Sequence, residues 1–416
     1  MARPISNGQE AARGPSRAGE AGRAGGAGKL APVLGLYVHI PFCSAICNYC
    51  NFNRGLFDAD LKERYVAALL REIATSPSTS LGAGGAAADT IYFGGGTPSL
   101  LEPWEIGALI HACRHAFAVT NDAEITMEAN PETVTPERLA GFREAGVNRL
   151  SYGVQSFRDD ELLRLSRLHS ASRAADAFAM ARAAGFDNVS LDLMMWLPQQ
   201  TIAQWLESVD ALIALGPDHA SLYILELYPN APLRDAMARS QWSLAPDDDA
   251  AEMYLQAMAR LDAAGYEQYE ISNVARPGRA SRHNLKYWSD GEWLGFGCGA
   301  HSTRRGVRWK NVSSTTEYIA AVASGGQLAA ERRVLTDREA LEEALFTGLR
   351  LTRGIDVHTV NARYTTDVWG IYGDGLERFR EAGLLIYDGR LLRLSRAGML
   401  LANEIMSEFV SSPVVD

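Results

Sequence analysis

Between Gly35 and about Pro229 the chain repeats one pattern: a short apolar run, a polar or glycine-rich turn, and then a helical stretch. The apolar runs are GLYVHI, DTIYFGGG, AEITMEAN, NRLSYGVQ, NVSLDLMM and HASLYILEL. Strands that alternate with helices predict βα units and a parallel sheet. Because these units are too few for a closed eight-fold barrel, we expect an α/β fold built on a partial (β/α)6 barrel.

Polar and glycine residues collect where the predicted strands end. The second strand runs into Gly95 and Gly96, and the next three end at Glu128, Gln155 and Asp192. In parallel α/β sheets the carboxyl ends of the strands meet at one edge, where ligands and catalytic groups gather. The sequence therefore predicts a functional site at this edge.

Composition divides the chain into four segments. Residues 1–33 are rich in Gly, Ala and Arg without an apolar period, which predicts a disordered tail. Residues 34–230 contain the predicted barrel. Residues 231–330 form a barrel-associated extension whose aromatic, glycine-rich part we expect to fold as short strands and turns. Residues 331–416 look like a separate small domain.

The last segment has its own start and turn signals. Thr336 and Glu339 form a capping box ahead of a helix, and Asp388-Gly389 suits a type I′ hairpin turn before another helix at about Ser395. This order predicts a winged-helix-like α+β domain. The segment has more Asp and Glu than Arg and contains no Lys, so we expect a packing module and no nucleic-acid contact.

Charge and cysteine content exclude several classes of protein. The formal net charge of -10 argues against a nucleic-acid-binding protein, and no apolar run approaches the length of a membrane span. Five cysteines, three of them bunched, suit a metal site in a reducing compartment better than a disulfide framework. We therefore expect a cytoplasmic protein.

Cys43, Cys47 and Cys50 offer three soft thiolates within one loop. Soft sulfur ligands select iron–sulfur clusters or zinc. A zinc site remains an alternative, because Cys47 and Cys50 form a C-x2-C half-site that His39 could join. A [4Fe–4S] cluster held by three thiolates would keep one iron open to a small molecule.

The C-x3-C-x2-C spacing after the first strand, followed by GGGTPS after the second, resembles the radical S-adenosylmethionine superfamily. This resemblance implies a [4Fe–4S] cluster on the three cysteines. It also implies that S-adenosylmethionine chelates the open iron through its amino and carboxylate groups.

YVHIPFC, FGGGTPSLL, ITMEANPET, GVNRLSYGVQSF and HNLKYW resemble one branch of that superfamily, which contains oxygen-independent coproporphyrinogen III dehydrogenase and the haem chaperone HemW family. In the dehydrogenase a fourth cysteine follows, where this chain has Phe52. The resemblance therefore implies a haem chaperone that passes haem to acceptor proteins of respiratory membranes, with peripheral contact at the inner membrane and a homodimer as further expectations. A porphyrinogen dehydrogenase, or another radical enzyme of porphyrin metabolism, is the alternative.

Nine residues of this chain match the positions that contact S-adenosylmethionine in the family. They are Tyr37, Tyr49, Gly95, Gly96, Thr97, Glu128, Gln155, Arg167 and Asp192. Glycine in the GGG turn would let backbone groups approach the methionyl moiety. The chain departs from the family at two positions. Trp196 stands where glycine is usual, and we expect its ring to fill space near the adenosyl pocket. Asn51 replaces an acid.

The haem expectation rests on His283 in HNLKYW. Imidazole is a common axial ligand of haem iron, and the neighbouring aromatic residues would suit a porphyrin face. A hydrogen-bonded structural histidine is the alternative. His301 and Cys298 are the second candidates for the haem ligand, and His169 could face either cofactor. Because HNLKYW lies far beyond the sixth strand, we expect separate sites for haem and the cluster.

Overall fold

The structure, a computed structural model, describes residues 33–76 and 86–410. The predicted disordered tail, apart from Val33, lies outside the described residues. No helix in these two ranges is both long and apolar enough to cross a membrane.

The predicted parallel barrel is confirmed. Its strands are β1 (Leu34–Ile40), β4 (Ala87–Gly95), β5 (Ala118–Ala129), β6 (Arg149–Gln155), β7 (Val189–Met195) and β8 (His219–Ile224). Two short strands, β2 (Phe42–Cys43) and β3 (Gly55–Leu56), form a separate pair. The helices between them are α1 (Ala59–Thr75), α2 (Pro103–Ala116), α3 (Pro136–Glu144), α4 (Asp159–Arg164), α5 (Ala171–Ala183) and α6 (Ile202–Leu215). Strands β1, β4, β5, β6, β7 and β8 pair in parallel in that order, while β2 pairs with β3.

Alternation along the strands separates an apolar layer from a polar interior. In β1, Leu36 and Val38 are fully buried in the hydrophobic core, while Tyr37 lies on the other face, opposite Tyr92 of β4. Side-chain oxygens cap several of the covering helices, as Asp58 does for α1 by accepting from the backbone N–H of Leu61. The polar face is therefore turned toward the interior, where the predicted site lies.

The extension is more helical than its sequence suggested. Its elements are α7 (Pro232–Ser240), α8 (Asp247–Ala263), β9 (Glu267–Glu270), β10 (Asn273–Ala275), α9 (Arg282–Trp288), β11 (Trp293–Phe296), β12 (His301–Arg304), β13 (Val307–Asn311), α10 (Thr315–Ser324) and β14 (Ala329–Val334). HNLKYW, expected in short strands and turns, lies in α9, whose first turn is capped by Ser281.

The extension also lengthens the barrel sheet at both edges. Strand β11 pairs in parallel with β1, and β12, β13 and β14 continue from it in antiparallel pairs. At the other edge β10 pairs with β8 and β9 with β10. The extension is therefore part of the same sheet as the barrel.

The final segment folds as a small α+β unit of the predicted winged-helix-like kind. It contains α11 (Asp337–Gly348), β15 (Ile355–Asp356), α12 (Val357–Tyr364), α13 (Val368–Glu381), β16 (Leu385–Tyr387), β17 (Leu391–Leu394), α14 (Arg396–Leu400) and α15 (Ala402–Ser407). The Thr336–Glu339 capping box is present. The predicted type I′ turn at Asp388-Gly389 is wrong, because such a turn needs a positive φ at both residues and only Gly389, at 92°, has one. The Asp388 carboxylate instead accepts from the backbone N–H of Leu391 at 2.7 Å.

Candidate functional site

A cavity of about 370 Å³, here called the main cavity, opens at the carboxyl ends of the barrel strands. It brings together the three clustered cysteines and most of the predicted cofactor contacts. These are Cys43, Cys47, Cys50, Tyr49, Gly95, Gly96, Thr97, Glu128, Gln155, Arg167 and Asp192. Two predicted residues, Tyr37 and His283, line a second cavity instead.

The three thiols lie on β2 and the loop that follows it. The Thr97 hydroxyl donates to Cys43 Sγ at 3.7 Å, and the Arg167 guanidinium donates to Cys47 Sγ at 3.5 Å. Burial raises the pKa of the Cys43 and Cys50 thiols. A cation or bound iron would favour the thiolate form, which is the form that binds metal. Over the described ranges, no three His, Cys, Asp or Glu side chains are grouped to hold a single ion.

Backbone hydrogen bonds fix the cysteine loop to its surroundings. The Asn48 side chain donates to the carbonyl of Arg164 at 2.8 Å, and the Asn48 carbonyl accepts from the N–H of Leu233 in α7 at 3.0 Å. The N–H of Phe57 donates to the Cys43 carbonyl at 2.9 Å. These hydrogen bonds tie the loop to the end of α4, to α7 and to the segment at Phe57.

His39, the fourth ligand of the zinc alternative, is already engaged at both ring nitrogens. Nε2 lies 2.7 Å from the carbonyl oxygen of Asn53, and Nδ1 lies 3.1 Å from the Tyr37 hydroxyl. Burial lowers the pKa of the imidazole. This geometry favours the cluster over a zinc site that includes His39.

The glycine turn allows close packing of strands. A Cβ on Gly95, whose φ is 116°, would lie 2.5 Å from the His39 ring, and one on Gly96 would lie 2.6 Å from the Phe42 carbonyl oxygen. The N–H groups of Gly96 and Thr97 donate to the Ile40 and Phe42 carbonyls. The need for glycine at these two positions thus comes from neighbouring protein atoms.

Two carboxylic acids face the main cavity from adjacent parts of the barrel. Glu128 accepts from the Tyr92 hydroxyl at 2.9 Å and from the Gly95 N–H at 3.1 Å, and burial raises its pKa to about 7. Asp192 accepts from the Ser151 hydroxyl at 3.2 Å, and burial raises its pKa as well. Each acid can therefore hold a proton at higher pH than an exposed one.

Gln155, Arg167 and Tyr49 complete the polar lining, and Gln155 ends β6, the strand between those that carry Glu128 and Asp192. Gln155 has a φ of 71°, and its buried Oε1 has no hydrogen-bond partner among the described residues. The Arg167 guanidinium donates to the Gly153 carbonyl, while its Nε has no described partner. Burial raises the pKa of the Tyr49 phenol. Buried polar atoms without partners mark places where a ligand could bind.

Tyr37 and His283 line the second cavity, here called the inner cavity, of about 250 Å³. The Tyr37 ring stacks on Tyr92 with 6.2 Å between centroids. Tyr92, Glu128, Tyr223 and Asn284 line both cavities, so the two are neighbours. Tyr37 thus lies behind Tyr92, outside the lining of the main cavity.

His283 is buried in α9, and both of its ring nitrogens are engaged. Nδ1 lies 2.8 Å from Thr90 Oγ1, and Nε2 lies 2.8 Å from the Tyr287 hydroxyl. Burial lowers its pKa to about 3. Neither nitrogen is free for iron in this arrangement. The expected separation of HNLKYW from the cluster region does not hold either, since Asn284 lines the main cavity.

The other haem-ligand candidates lie apart from both cavities. His169 is buried with Nε2 3.0 Å from the Val154 carbonyl oxygen, and Cys298 is buried beside Thr315. His301 is exposed on β12. Neither cavity lining includes any of the three.

Trp196 does not fill the main cavity as expected. Its indole N–H donates to the Ala245 carbonyl at 2.8 Å, and the cavity is lined by Met194 instead. The φ of Trp196 is 61°, in the left-handed region that favours glycine. Asn51 does line the cavity.

The sequence reading missed Arg149, Ser151, Ser221 and Tyr223, which also line the main cavity. The sequence did contain a signal for them. Side chains alternate between the two faces of a strand, and in RLSYGVQ and HASLYI the residues on the inward face are polar or small. Reading that alternation as a ligand-facing layer would have found them.

The residues present fit the predicted group. Three soft thiols share one cavity with a guanidinium that touches one of them. On the same lining, Gln155 Oε1 and Arg167 Nε have no hydrogen-bond partner in the part of the chain that the structure describes. Sulfur ligands suit an iron–sulfur cluster, and the polar remainder of the cavity suits a small polar molecule beside it.

Comparisons with known proteins agree with this geometry. A profile of the radical SAM superfamily matches residues 37–212, and one of the HemN C-terminal domain matches residues 335–401. The chain is 36% identical over 375 residues to Heme chaperone HemW of Bacillus subtilis, covering 90% of this chain and 98% of that protein. It is 37% identical over 394 residues to the mitochondrial Radical S-adenosyl methionine domain-containing protein 1 of Bos taurus, covering 90% and 87%.

A solved structure shares the whole fold. Coproporphyrinogen III oxidase (HemN) from Escherichia coli superposes with a TM-score of 0.78 at 24% identity, covering 91% of this chain and 90% of that one. At this identity the likeness supports the fold, whereas the full-length relatives carry the assignment. The chain therefore belongs to the heme chaperone HemW family of the radical SAM superfamily.

Proposed function

We propose that this protein is a haem chaperone. In this proposal it holds a [4Fe–4S] cluster on Cys43, Cys47 and Cys50, binds S-adenosylmethionine in the main cavity, and binds haem for delivery to acceptor proteins. The names of its full-length relatives, Heme chaperone HemW in several bacteria, support the haem role. Cytoplasmic location, acceptors at the inner membrane and a homodimer belong to the same proposal.

One observation carries the proposal. All three thiols line a single cavity with Glu128, Gln155, Arg167 and Asp192, and the place of a fourth cysteine is taken by Phe52, which is 64% exposed. Three thiols leave one iron of the cluster without a protein ligand, and S-adenosylmethionine can occupy that open coordination position.

Each group on the lining has a distinct task. When bound, the cluster and S-adenosylmethionine can supply an electron and a deoxyadenosyl radical. Arg167 offsets the negative charge of the Cys47 thiolate, and its buried Nε, which has no partner among the described residues, could pair with a carboxylate. Glu128 and Asp192 can accept from hydroxyl or amino groups of the ligand, and the buried setting limits water.

The alternative is a porphyrinogen dehydrogenase with the same core, and one experiment separates the two. Protein purified without oxygen is assayed for iron, sulfide and S-adenosylmethionine binding, then for haem transfer to an apo-acceptor and for coproporphyrinogen oxidation. Haem transfer without oxidation supports the proposal. Oxidation without haem binding would establish the dehydrogenase instead.

A further inference from the structure

Five large apolar or aromatic side chains that line the main cavity are exposed; we call four of them the rim, and the fifth, Tyr223, also lines the inner cavity. The rim residues are Ile46 and Phe52 on the cysteine loop and Ile224 and Tyr228 at and beyond the end of β8. Their exposed fractions are 42%, 64%, 48% and 37%. Each also lines the cavity, so the exposed apolar surface and the cavity are continuous.

This exposure differs from that of scattered surface residues. Leu163 and Trp104 are also exposed, but neither lines the main cavity. Isolated apolar side chains are normal on a protein surface, whereas apolar groups collected around a polar cavity mark a binding site.

The positive charge of Arg54 at the rim suits a ligand that has anionic groups at its edge. Arg54 lines the cavity, and its guanidinium donates to the carbonyls of Cys50 and Phe52, while its Nε has no described partner. The guanidinium also lies near the Cys43 and Cys50 thiols, where its positive charge favours their thiolate forms. A flat apolar ligand that carries carboxylates, as haem does, matches apolar side chains beside a guanidinium.

A potential iron ligand lies on the same rim. The Tyr228 hydroxyl donates to the Glu226 carboxylate, and this hydrogen bond is the main reason that the pKa of the phenol is raised. Asn51 is a second polar neighbour, and all three residues line the cavity. A phenolate oxygen is a known class of haem ligand.

We propose that haem binds on the rim over the mouth of the main cavity, with Tyr228 as the ligand of its ferric iron. The inference rests on the proposed haem-binding function and specifies its site. As the iron–oxygen bond forms, the phenolic O–H bond breaks and its proton passes to the Glu226 carboxylate; the iron stays ferric. The apolar ring covers Phe52, and a propionate meets Arg54.

The position also explains why the buried imidazole of HNLKYW need not be freed. His283 keeps both hydrogen bonds, to Thr90 and Tyr287, and supports Tyr92, on which its ring stacks at 5.1 Å. Haem on the rim would instead lie within reach of solvent, from which an acceptor protein could take it.

The test is a titration of ferric haem into the full chain, purified with its cluster and kept without oxygen. Tyr228→Phe and Phe52→Ser are compared with the wild type and with Leu163→Ser, a matched exposed apolar residue away from the cavity. Iron and sulfide content checks that each variant retains its cluster. Binding is followed by absorbance, and the iron ligand by resonance Raman vibrations of iron-bound phenolate.

We expect Tyr228→Phe to lose the phenolate vibrations and Phe52→Ser to raise the Kd roughly ten-fold or more, as for the loss of a buried aromatic contact. Leu163→Ser should bind as the wild type does. Phenolate vibrations absent from the wild type, or unchanged in Tyr228→Phe, overturn the ligand assignment. Equal Kd values for Phe52→Ser and Leu163→Ser overturn the rim site. A wild-type chain that binds no haem at all overturns the proposed function itself.

Discussion

Replacing Glu128 by Gln should stabilise the protein increasingly as the pH rises. Burial raises the pKa of Glu128 from its ordinary value of 4.5 to about 7, so the folded state binds this proton more tightly than the unfolded state does. Between these two values unfolding releases a proton, and the free energy of unfolding of the wild type therefore falls with rising pH. Gln has no proton to lose, so it avoids this loss.

The magnitude follows from the difference of about 2.5 in pKa. At ~1.4 kcal/mol for each pKa unit, ionisation of Glu128 costs the folded state about 3 kcal/mol above pH 7 and almost nothing below pH 4.5. The hydrogen bonds can persist in the variant, since a Gln oxygen can accept from the Gly95 N–H while the Tyr92 hydroxyl accepts from the new amide. Any remaining offset is independent of pH.

Urea unfolding of the wild type, Glu128→Gln and the exposed control Glu132→Gln at pH values from 5 to 8 measures this effect. The advantage of Glu128→Gln over the wild type should grow by on the order of 1 kcal/mol per pH unit up to about pH 7 and then level off. Glu132→Gln should follow the wild type. A constant difference between Glu128→Gln and the wild type across this range would refute the reasoning.

Cys47→Ala should abolish bound iron and sulfide, whereas Cys113→Ala, which alters a buried residue of α2, should retain both; iron and sulfide analysis checks this. Arg167→Gln should lower the reduction potential of the cluster, because it removes a cation that touches Cys47 Sγ, and potentiometric titration would show the shift. His283→Ala should lower the free energy of unfolding by ~2–4 kcal/mol, because it removes two hydrogen bonds and leaves a cavity. The control His301→Ala, at an exposed residue, should lower it by less than ~0.5 kcal/mol, and denaturant unfolding measures both.

The strand pattern predicted the barrel because it depends on local alternation, and the carboxyl-end rule then predicted that Glu128, Gln155 and Asp192 would share a cavity. The Cys43–Cys50 loop could be placed there too, because it follows the first strand. These features need only the order of elements along the chain.

Features that depend on long-range packing were not predictable. HNLKYW reads as aromatic and irregular, yet it forms α9 because Ser281 caps it and His283 and Tyr287 meet one turn apart. The burial of His283 against Thr90 and Tyr92 depends on how α9 meets β4, which no local pattern encodes. Trp196 likewise has a positive φ, and its indole reaches Ala245, which lies far along the chain.

The pairing of β1 with β11 has a consequence for synthesis. Ile40 ends β1 and Trp293 begins β11, so the partner strand is made 253 residues later (293 minus 40). At ~5–20 residues per second, one edge of β1 stays unpaired for roughly 10–50 s after it leaves the ribosome. An unpaired edge beside Leu36 and Val38 is a template for wrong pairing, so nascent chains that stop short of Trp293 should be those most prone to aggregate.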